Sequence, residues 1–243
     1  MDLVIDIGNT LKKVAVFSEK GKLIQLFQEK RLTVEFLEPL FEEYSIRRAI
    51  VSSVGDEEAE ALAWIEARAR LVRFTHSCRL PIELDYATPE TLGTDRIANA
   101  VGAHALYPNH NVLSIMAGTC LVADYVNAEG EYLGGSISPG LRMRFQALPQ
   151  FTARLPLVEP EELVPLIGDT TQKSILAGVV LGMAYEIDGW IADYKKFFSP
   201  LKVIFSGGDS ELLRNFIKKR IFAAQNPILL GLHKILELNA SEE

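Results

Sequence analysis

The feature that most constrains the fold is a pattern that occurs twice, about 110 residues apart. In each copy an apolar, strand-like run ends in a turn that contains glycine, and a second strand-like run follows; the copies start at Leu3 and at Val112. The triplet at 6–8 aligns with the triplet at 116–118, and each copy continues through a further turn into a third strand. The sequence therefore predicts two similar domains, at 1–111 and 112–243, which a duplication would explain.

Helical and strand patterns alternate through the rest of the chain, which is typical of the α/β class with mixed sheets. In the first half the predicted helices are 34–44, 57–69 and 91–107, and the predicted strands beyond the opening meander are 48–54 and 71–75. In the second half the longest predicted helix is 173–198, in which apolar residues recur every three or four positions. A strand at 202–205 and a helix at 210–219 follow it.

Composition excludes several classes of function. A net charge of -7 leaves no surplus of basic residues to neutralise a nucleic-acid backbone. The longest apolar runs, 112–123 and 175–185, are shorter than the roughly 18 residues that a membrane span needs. No basic, apolar leader opens the sequence, so we expect a cytoplasmic protein without a membrane or nucleic-acid partner. Neither the two cysteines nor the four histidines have the spacing of a metal site.

The turn at 6–10 is suited to binding a phosphate with its metal ion. The Asp6 carboxylate, at the end of a strand, can hold a hydrated Mg²⁺. Gly8 lets backbone N–H groups approach a phosphate, to which Asn9 and Thr10 can also donate hydrogen bonds. Lys12 or Lys13 would add positive charge. The same five residues would also suit an ordinary hairpin turn with a surface aspartate.

Two more glycine turns follow predicted strands, at 118–119 and at 206–209. The first occupies the matching place in the second repeat, and the second precedes a predicted helix, where backbone N–H groups are available to a ribose, a base or a phosphate. The usual phosphate-binding signatures, the P-loop and the dinucleotide fingerprint, are absent from the sequence. Three glycine turns at strand ends resemble the pattern of the actin-like, ribonuclease-H-like phosphotransferases, in which two similar domains close on ATP.

Further motifs narrow this resemblance to the type III pantothenate kinase family. The chain has the opening Asp-x-Gly-Asn-Thr at 6–10, Tyr86 seven residues before a Gly-x-Asp-Arg box at 93–96, and Gly-Gly-x-Ile-x-Pro-Gly at 134–140. Together with Thr171, these pieces cover most of the chain in the order and spacing of that family. The resemblance implies ATP-dependent phosphorylation of pantothenate to 4'-phosphopantothenate, the first step of coenzyme A synthesis, in two ribonuclease-H-like domains with an ATP cleft between them.

The resemblance also implies the roles of individual residues. Asp95 would be the general base that takes the proton from the pantothenate hydroxyl, and Thr171 would complete the pantothenate site of a neighbouring subunit in a homodimer. Pantothenate would also contact Tyr86, Gly93, Thr94 and Arg96. The ATP phosphates would contact Asp6, Ile7, Gly8, Asn9, Thr10, Leu11, Lys12 and Lys13, with Thr119 as a further ATP ligand.

The chemistry of the Gly-x-Asp-Arg box is compatible with these roles. Asp95 lies at the predicted start of a helix, where backbone N–H groups and Arg96 would keep its carboxylate ionised. The planar guanidinium of Arg96 can hold a substrate carboxylate through two hydrogen bonds. Alternatively, Thr94 and Asp95 only cap the helix. Arg142 and Arg144 are better interpreted as solvated surface residues than as ligands.

The chain departs from the family at Met116. The family's second phosphate motif has an aspartate there, which binds a monovalent cation such as K⁺ or NH₄⁺, and a thioether cannot replace that ligand. Three explanations stay open: the enzyme works without the cation, Asp124 or a water takes over, or most of the kinase activity is lost. Two other functions also stay open: a relative that binds nucleotide or pantothenate and acts by protein contact, and a phosphohydrolase of the same fold.

Overall fold

A computed structural model describes residues 1–8, 11–53, 58–223 and 226–240, so the predicted ligands Asn9 and Thr10 lie outside the described residues. The chain divides into two compact units. The first consists of Met1–Leu106 and Pro227–Glu243, and the second of Tyr107–Asn226. This division differs from the predicted domains 1–111 and 112–243 by five residues at the first crossing. It also assigns the end of the chain to the first unit, because the last helix packs there.

The strands are β1 Asp2–Ile7, β2 Lys12–Phe17, β3 Leu23–Glu29, β4 Arg48–Ser53, β5 Arg70–Arg73, β6 Glu83–Leu84, β7 Asn111–Ala117, β8 Cys120–Val126, β9 Glu131–Pro139, β10 Leu201–Ser206 and β11 Phe222–Ala223. The helices are α1 Val34–Glu43, α2 Ala59–Glu66, α3 Thr94–Leu106, α4 Leu141–Phe151, α5 Thr171–Leu176, α6 Gly182–Phe197, α7 Ser210–Leu213 and α8 Pro227–Asn239. A 3₁₀ turn covers Pro89–Thr91, and a π-helical turn, Ala177–Leu181, joins α5 to α6 without a break.

Both units contain a sheet of the same topology. In the first unit the order is β3-β2-β1-β4-β5, where β1 to β3 form an antiparallel meander and β4 and β5 run parallel to β1. The five strands of the second unit follow the order β9-β8-β7-β10-β11, again an antiparallel meander with two strands parallel to its first. The repeat in the sequence therefore predicted a duplicated sheet correctly.

The core of the first unit is formed by apolar side chains that alternate along β1 and β2 and so lie on one face of the sheet. One face of β1 and β2 carries fully buried apolar side chains, which pack against the buried faces of α1 and α2. Helix α1 begins where the Thr33 hydroxyl accepts a hydrogen bond from the backbone N–H of Phe36, at 3.3 Å. Because β1 and β2 are held by this core, the turn between them is presented from a rigid base.

Helix α8, which the sequence patterns did not predict, packs closely along α3. A Cβ atom on Gly231 would lie 1.8 Å from the carbonyl oxygen of Ala98, so only glycine permits this approach. At the start of β1, the buried Asp2 carboxylate accepts hydrogen bonds from His233 of α8, at 2.9 Å, and from Arg48 of β4, at 2.6 and 2.8 Å. Burial alone would raise the pKa of Asp2, but the bonds from His233 and Arg48 lower it to about 2.

The continuous helix of α5, the π turn and α6 packs on the sheet of the second unit. Its buried side chains include the predicted apolar series Leu176, Val180, Met183, Ile187 and Ile191. By length and composition alone, Thr171–Phe197 is apolar enough to cross a membrane, with a mean hydropathy of 1.5 in its most apolar window. In that window 44% of the residues are buried within the unit, and core helices also pass this test of length and composition.

Two predictions for the second unit need correction. Helix α7 ends at Leu213, six residues before the predicted end, because the N–H of Phe216 bonds to the carbonyl three residues back and tightens the chain into a turn. Helix α4, which has Pro149 near its end, was not among the predicted helices. The last glycine of the 134–140 motif, Gly140, stands at its N-terminus.

Candidate active site

The site in the first unit is built on Asp6, the second-last residue of β1. In the strand registers Asp6 lies opposite Lys13 of β2 on one side and Ser52 of β4 on the other. Burial raises the pKa of Asp6 to about 6; the charge of Lys13 opposes this rise and the charge of Asp95 adds to it. Asp6, Lys13 and Asp95 therefore form one electrostatic cluster.

Asp95 stands in the first turn of α3. The carbonyl of Gly93 accepts the first helical hydrogen bonds, from Arg96 and Ile97, and one oxygen of the Asp95 carboxylate accepts from the N–H of Arg96 at 2.9 Å. The hydroxyl of Thr94 lies 3.3 Å from that of Ser52, which ties the start of α3 to β4. Asp95 is exposed, so its carboxylate is accessible to a ligand.

In contrast to the exposed Asp95, Arg96 is largely buried and only 7% exposed. Tyr86 is half-buried in the segment before the Pro89–Thr91 turn, whereas Gly93 is exposed. These three predicted pantothenate ligands all belong to the first unit, together with Thr94 and Asp95. The Gly-x-Asp-Arg box thus combines an exposed carboxylate with a largely buried guanidinium.

The neighbouring lysines of β2 point to opposite faces of the sheet. Lys13 shares its face with Asp6, whereas Lys12 is buried on the core side. The Nζ atom of Lys12 donates to the carbonyl of Gly8 at 3.3 Å and lies 3.9 Å from the carboxylate of Glu58. Leu11 is exposed, and Ile7 is buried in the core. Lys13 is therefore the lysine of this pair that lies on the same face of the sheet as Asp6.

The matching glycine turn of the second unit lies at the end of β7. Gly118 and the exposed Thr119 connect β7 to β8, and two glycines from elsewhere in the unit pack against this turn. A Cβ atom on Gly140 would lie 2.2 Å from the Gly118 carbonyl oxygen, and one on Gly207 would lie 2.2 Å from that of Ala117. Gly207 also has a φ of +102°, which side chains disfavour. The three glycine segments thus meet here, with space beside Gly118 for a ligand.

The two turns differ in chemistry at their matching positions. Met116, like Asp6, is the second-last residue of its strand; it pairs with Val122 where Asp6 pairs with Lys13, and with Ser206 where Asp6 pairs with Ser52. A charged pair in the first unit thus corresponds to an apolar pair in the second. The possible replacement ligand, Asp124, is fully buried and accepts a hydrogen bond from the hydroxyl of Tyr132 at 2.8 Å.

Another acidic group lies beside the second turn. Asp209 follows the two glycines of the 206–209 turn, and its N–H donates to the carbonyl of Ala117 at 3.0 Å. Burial raises the pKa of Asp209, while the charge of Arg142 in the first turn of α4 lowers it. Arg142 is exposed, as predicted, but Arg144 is not simply a solvated residue. It donates to the carbonyl of Pro139 at 2.8 Å and forms an ion pair with Glu186 of α6.

Thr171 is exposed at the start of α5, where the hydroxyl of Thr170 caps the helix by accepting from the N–H of Lys173 at 3.2 Å. A largely apolar cavity of about 530 Å³ opens beside it. Its lining residues are Arg144, Leu148, Leu155, Thr171, Ser174, Ile175, Gly178 and Val179. The last two lie in the π-helical turn, a feature that is often found at functional sites.

Sequence reasoning missed Ser52 and Glu58 as parts of the first site. Ser52 is buried beside Asp6 at the end of β4, and Glu58 is buried before α2. The signal for Ser52 was available, because parallel strands end at the same edge of a sheet and Ser52 lies near the end of the predicted strand 48–54. Glu58 had no such signal, since its partner Lys12 is 46 positions away in the sequence.

The donor set of the first site fits a magnesium ion bound through water. Magnesium keeps several of its waters and needs only one or two carboxylates, so Asp6 alone suffices as an anchor. Within 1–8, 11–53, 58–223 and 226–240, no three histidine, cysteine or acidic side chains are grouped as for a fully protein-bound metal. The Asp6 carboxylate is partly shielded from water, and the bound ion would stabilise its ionised form.

Comparison with known proteins gives a consistent result. The family model described as type III pantothenate kinase matches residues 2–193. A type III pantothenate kinase from Christiangramia forsetii is 43% identical over 243 residues, which is 100% of both chains. A Baf family protein from Campylobacter jejuni has a similar structure, with a TM-score of 0.61 and 22% identity over 98% of both chains.

A ROK family glucokinase from Streptomyces griseus, solved with glucose and AMPPNP, has a TM-score of 0.52 and 15% identity over 97% of this chain and 99% of its own. At that identity the likeness shows the fold alone. The fold of the chain is thus the predicted one, two ribonuclease-H-like, actin-like domains with mixed sheets, as in sugar kinases of this architecture.

Proposed function

Since the chain belongs to the type III pantothenate kinase family, we propose that this kinase transfers the γ-phosphate of ATP to pantothenate, which gives 4'-phosphopantothenate and ADP in the first step of coenzyme A synthesis. The observation that carries the proposal is the cluster of Asp6, Lys13 and Asp95. It combines a metal anchor, a cation for phosphate oxygens and an exposed carboxylate at the start of a helix. A cytoplasmic location fits a soluble substrate and is part of the proposal.

Asp95 takes the proton of the pantothenate hydroxyl as the hydroxyl oxygen forms its bond to the γ-phosphorus. The bond between that phosphorus and the β,γ-bridging oxygen breaks, and ADP leaves with the electron pair. The N–H of Arg96 holds the Asp95 carboxylate in a defined orientation for this step. Lys13 offsets charge on the phosphates, and positioning by these residues supplies much of the rate enhancement.

Binding roles follow the family pattern and the geometry of each unit. In the first unit Asp6 anchors the metal, and the turn at 6–11 binds phosphates. Bound Mg²⁺ would supply charge neutralisation at the phosphate oxygens. In the second unit Thr119 is a further ATP ligand, supported by its exposure on the glycine turn. Pantothenate contacts Tyr86, Gly93, Thr94, Asp95 and Arg96.

A purified-protein assay tests the function directly. We expect ADP formation in the presence of Mg²⁺ that depends on pantothenate. Rates should be the same in K⁺, NH₄⁺ and Na⁺, because Met116 and Val122 form an apolar pair at the position of the family's cation ligand. ADP formation without pantothenate would indicate a phosphohydrolase instead. Nucleotide or pantothenate binding without turnover would indicate a relative that acts by protein contact, and K⁺ activation would show that other ligands hold the ion.

A homodimer is the second part of the proposal. The segment between α4 and α5 carries strongly exposed apolar side chains, among them Leu163 at 86% exposure and Ile167 at 82%. Such a cluster is expected at a protein interface rather than in water. It leads directly to Thr171, the residue proposed to complete the partner's pantothenate site. Leu157 and Leu166 of the same segment are exposed as well, as is Phe151 at the end of α4.

Mixing two inactive variants tests the shared site. We expect Asp95→Asn and Thr171→Arg subunits to regain up to about half of the activity per heterodimer when they exchange, because one of the two sites in each heterodimer is unaltered. Activity is measured after exchange has been demonstrated by mass spectrometry. Gln172→Arg is the control for added charge beside the site and should keep its activity. Absence of rescue despite exchange would mean that each pocket is built from one chain.

A further inference from the structure

We infer that Lys12 and Glu58 form a clamp behind the phosphate turn, in which Lys12 holds the carbonyl of Gly8 and Glu58 holds Lys12. Both would be positioning residues that act on ATP through the backbone of the turn, without touching the phosphates. This inference rests on the proposed function, because it assigns the two residues to the ATP site. It assigns different roles to two adjacent lysines: Lys12 holds the backbone of the turn, and Lys13 meets the phosphates.

The side chain of Lys12 points to the core side of the sheet. Adjacent residues of a strand point to opposite faces of the sheet, and Lys13 takes the face of Asp6. Lys12 takes the core face, which it shares with Val14 and Val16, and its side chain is only 10% exposed. A lysine rarely remains this buried unless its charge is paired, so the position must be stabilised by its partners.

The amino group of Lys12 has two partners, the carbonyl of Gly8 and the carboxylate of Glu58. Its Nζ atom donates to the carbonyl of Gly8 at 3.3 Å, across the turn that begins at the end of β1. The carboxylate of Glu58, whose side chain is 5% exposed, lies 3.9 Å from the same Nζ atom. Removal of either member of a buried ion pair destabilises the folded protein strongly, because the other charge is left without a partner.

Glu58 is itself fixed by the core. Its second carboxylate oxygen accepts a hydrogen bond from the buried N–H of Leu32 at 3.1 Å. Glu58 therefore connects the segment before α1 to the amino group that holds the turn. Both carboxylate oxygens of Glu58 are shielded from solvent. One faces the amino group of Lys12, and the other accepts from the N–H of Leu32, so each oxygen has a partner within the protein.

The carbonyl of Gly8 belongs to the backbone at the start of the turn. A peptide group is planar, and its carbonyl and the following N–H point in opposite directions. A donor that holds the carbonyl of Gly8 from the core side thus constrains the backbone at the point where the chain leaves β1 for the turn. A Cβ atom on Gly8 would lie only 3.1 Å from the carbonyl oxygen of Leu11, so the turn is already tight. Backbone N–H groups bind phosphate well only when they are oriented beforehand.

The test measures nucleotide binding separately from turnover. Lys12→Met removes the donor and the charge but keeps the length of the side chain, and Glu58→Gln removes the charge but keeps an oxygen for the N–H of Leu32. For each folded variant, the Kd of a non-hydrolysable ATP analogue with Mg²⁺ is measured by titration calorimetry. We expect a rise of about 10- to 100-fold in both variants, with the KM for pantothenate unchanged within about twofold.

Matched controls are Lys22→Met and Glu60→Gln, which lie at exposed positions of the first unit. The controls should leave the Kd unchanged. The double variant Lys12→Met/Glu58→Gln should bind hardly more weakly than either single variant, because both changes disable one clamp. A purely structural pair would lower thermal stability and raise both substrate constants together, or leave both unchanged.

The outcomes distinguish this inference from the proposed function. Analogue affinities of Lys12→Met and Glu58→Gln within about threefold of the wild type would overturn the clamp, whatever the turnover. Should Lys12→Met fail to fold, Glu58→Gln alone decides by the same criterion. Wild-type protein that binds the analogue but shows no pantothenate-dependent ADP formation would overturn the proposed function, and the comparison of affinities would still decide the clamp. Wild-type protein that does not bind the analogue would overturn both.

Discussion

Replacement of Asp95 by asparagine is expected to slow phosphoryl transfer by about 10²- to 10⁴-fold, the usual contribution of a general base. The variant should fold normally, because an asparagine oxygen can still accept the hydrogen bond that the N–H of Arg96 donates at 2.9 Å. Nucleotide binding should persist, since Asp95 is assigned to the pantothenate hydroxyl. The substitution also removes a negative charge that raises the pKa of Asp6, so Asp6 should ionise at a lower pH in the variant.

Single-turnover phosphorylation of pantothenate measures this effect without interference from product release. Asp85→Asn is a suitable control, because Asp85 is an exposed carboxylate of the same unit outside the proposed site. A rate for Asp95→Asn within about threefold of the wild type, far less than a general base contributes, would remove Asp95 from the role. An equal loss of rate in Asp85→Asn would point to a nonspecific effect of charge.

Asp6→Asn is expected to abolish most of the kinase activity and, at the same time, to stabilise the ligand-free protein at neutral pH. In the folded protein the pKa of Asp6 is about 6, against an ordinary value of 3.8. The ionised carboxylate therefore costs the folded state up to about 3 kcal/mol above pH 6. Asparagine carries no such cost, so the stability gained should be largest there.

The sign of the pH dependence follows from the raised pKa. Below pH 3.8 Asp6 is protonated in both the folded and the unfolded chain, and the substitution should change little. As the pH rises from 3.8 to about 6, the unfolded chain loses this proton first, and the wild type is progressively destabilised relative to Asp6→Asn. Above about pH 6 the difference should be constant.

Thermal unfolding between pH 4 and pH 8 checks this prediction, at about 2–4 °C per kcal/mol for a chain of this size. Mg²⁺ with nucleotide should raise the melting temperature of the wild type more than that of Asp6→Asn, because only the wild type has the carboxylate anchor. Asp85→Asn should follow the wild-type curve. Equal melting temperatures of the wild type and Asp6→Asn across this range would show that the ionised Asp6 carboxylate does not destabilise the folded protein.

Much of the fold could be predicted because it depends on local patterns. The opening meander, the buried faces of the long helix and the duplication follow from the spacing of apolar residues and glycines. Helix α8 was missed although apolar residues recur along it, and its place in the first unit depends on packing against α3, more than 120 positions earlier. Helix α7 was predicted too long, since its end is set by a tightening of the backbone at Phe216.

The candidate site, like the fold, could be predicted only in part from the sequence. Asp6, Asp95 and the two glycine turns could be identified from motifs, but their electrostatic coupling could not, because it requires β1 and the start of α3 to be neighbours in space. The difference between Lys12 and Lys13 was within reach of the sequence. Strand alternation places Lys12 on the face of Val14, which is apolar and faces the core, whereas Lys13 falls on the opposite face. The partner of Lys12, Glu58, could not be found from the sequence alone.

The return of the chain to the first unit through α8 has a consequence for biosynthesis. The ribosome releases β1 to α3 first, but the face of α3 that Gly231 approaches is covered only after the whole second unit has been made. Asp2 likewise waits for His233, its partner at the far end of the chain. The second unit, continuous in sequence, can therefore complete its packing during translation, while the unit that carries the proposed base is finished last. A nascent chain interrupted before α8 would hold the catalytic motifs in an incomplete fold.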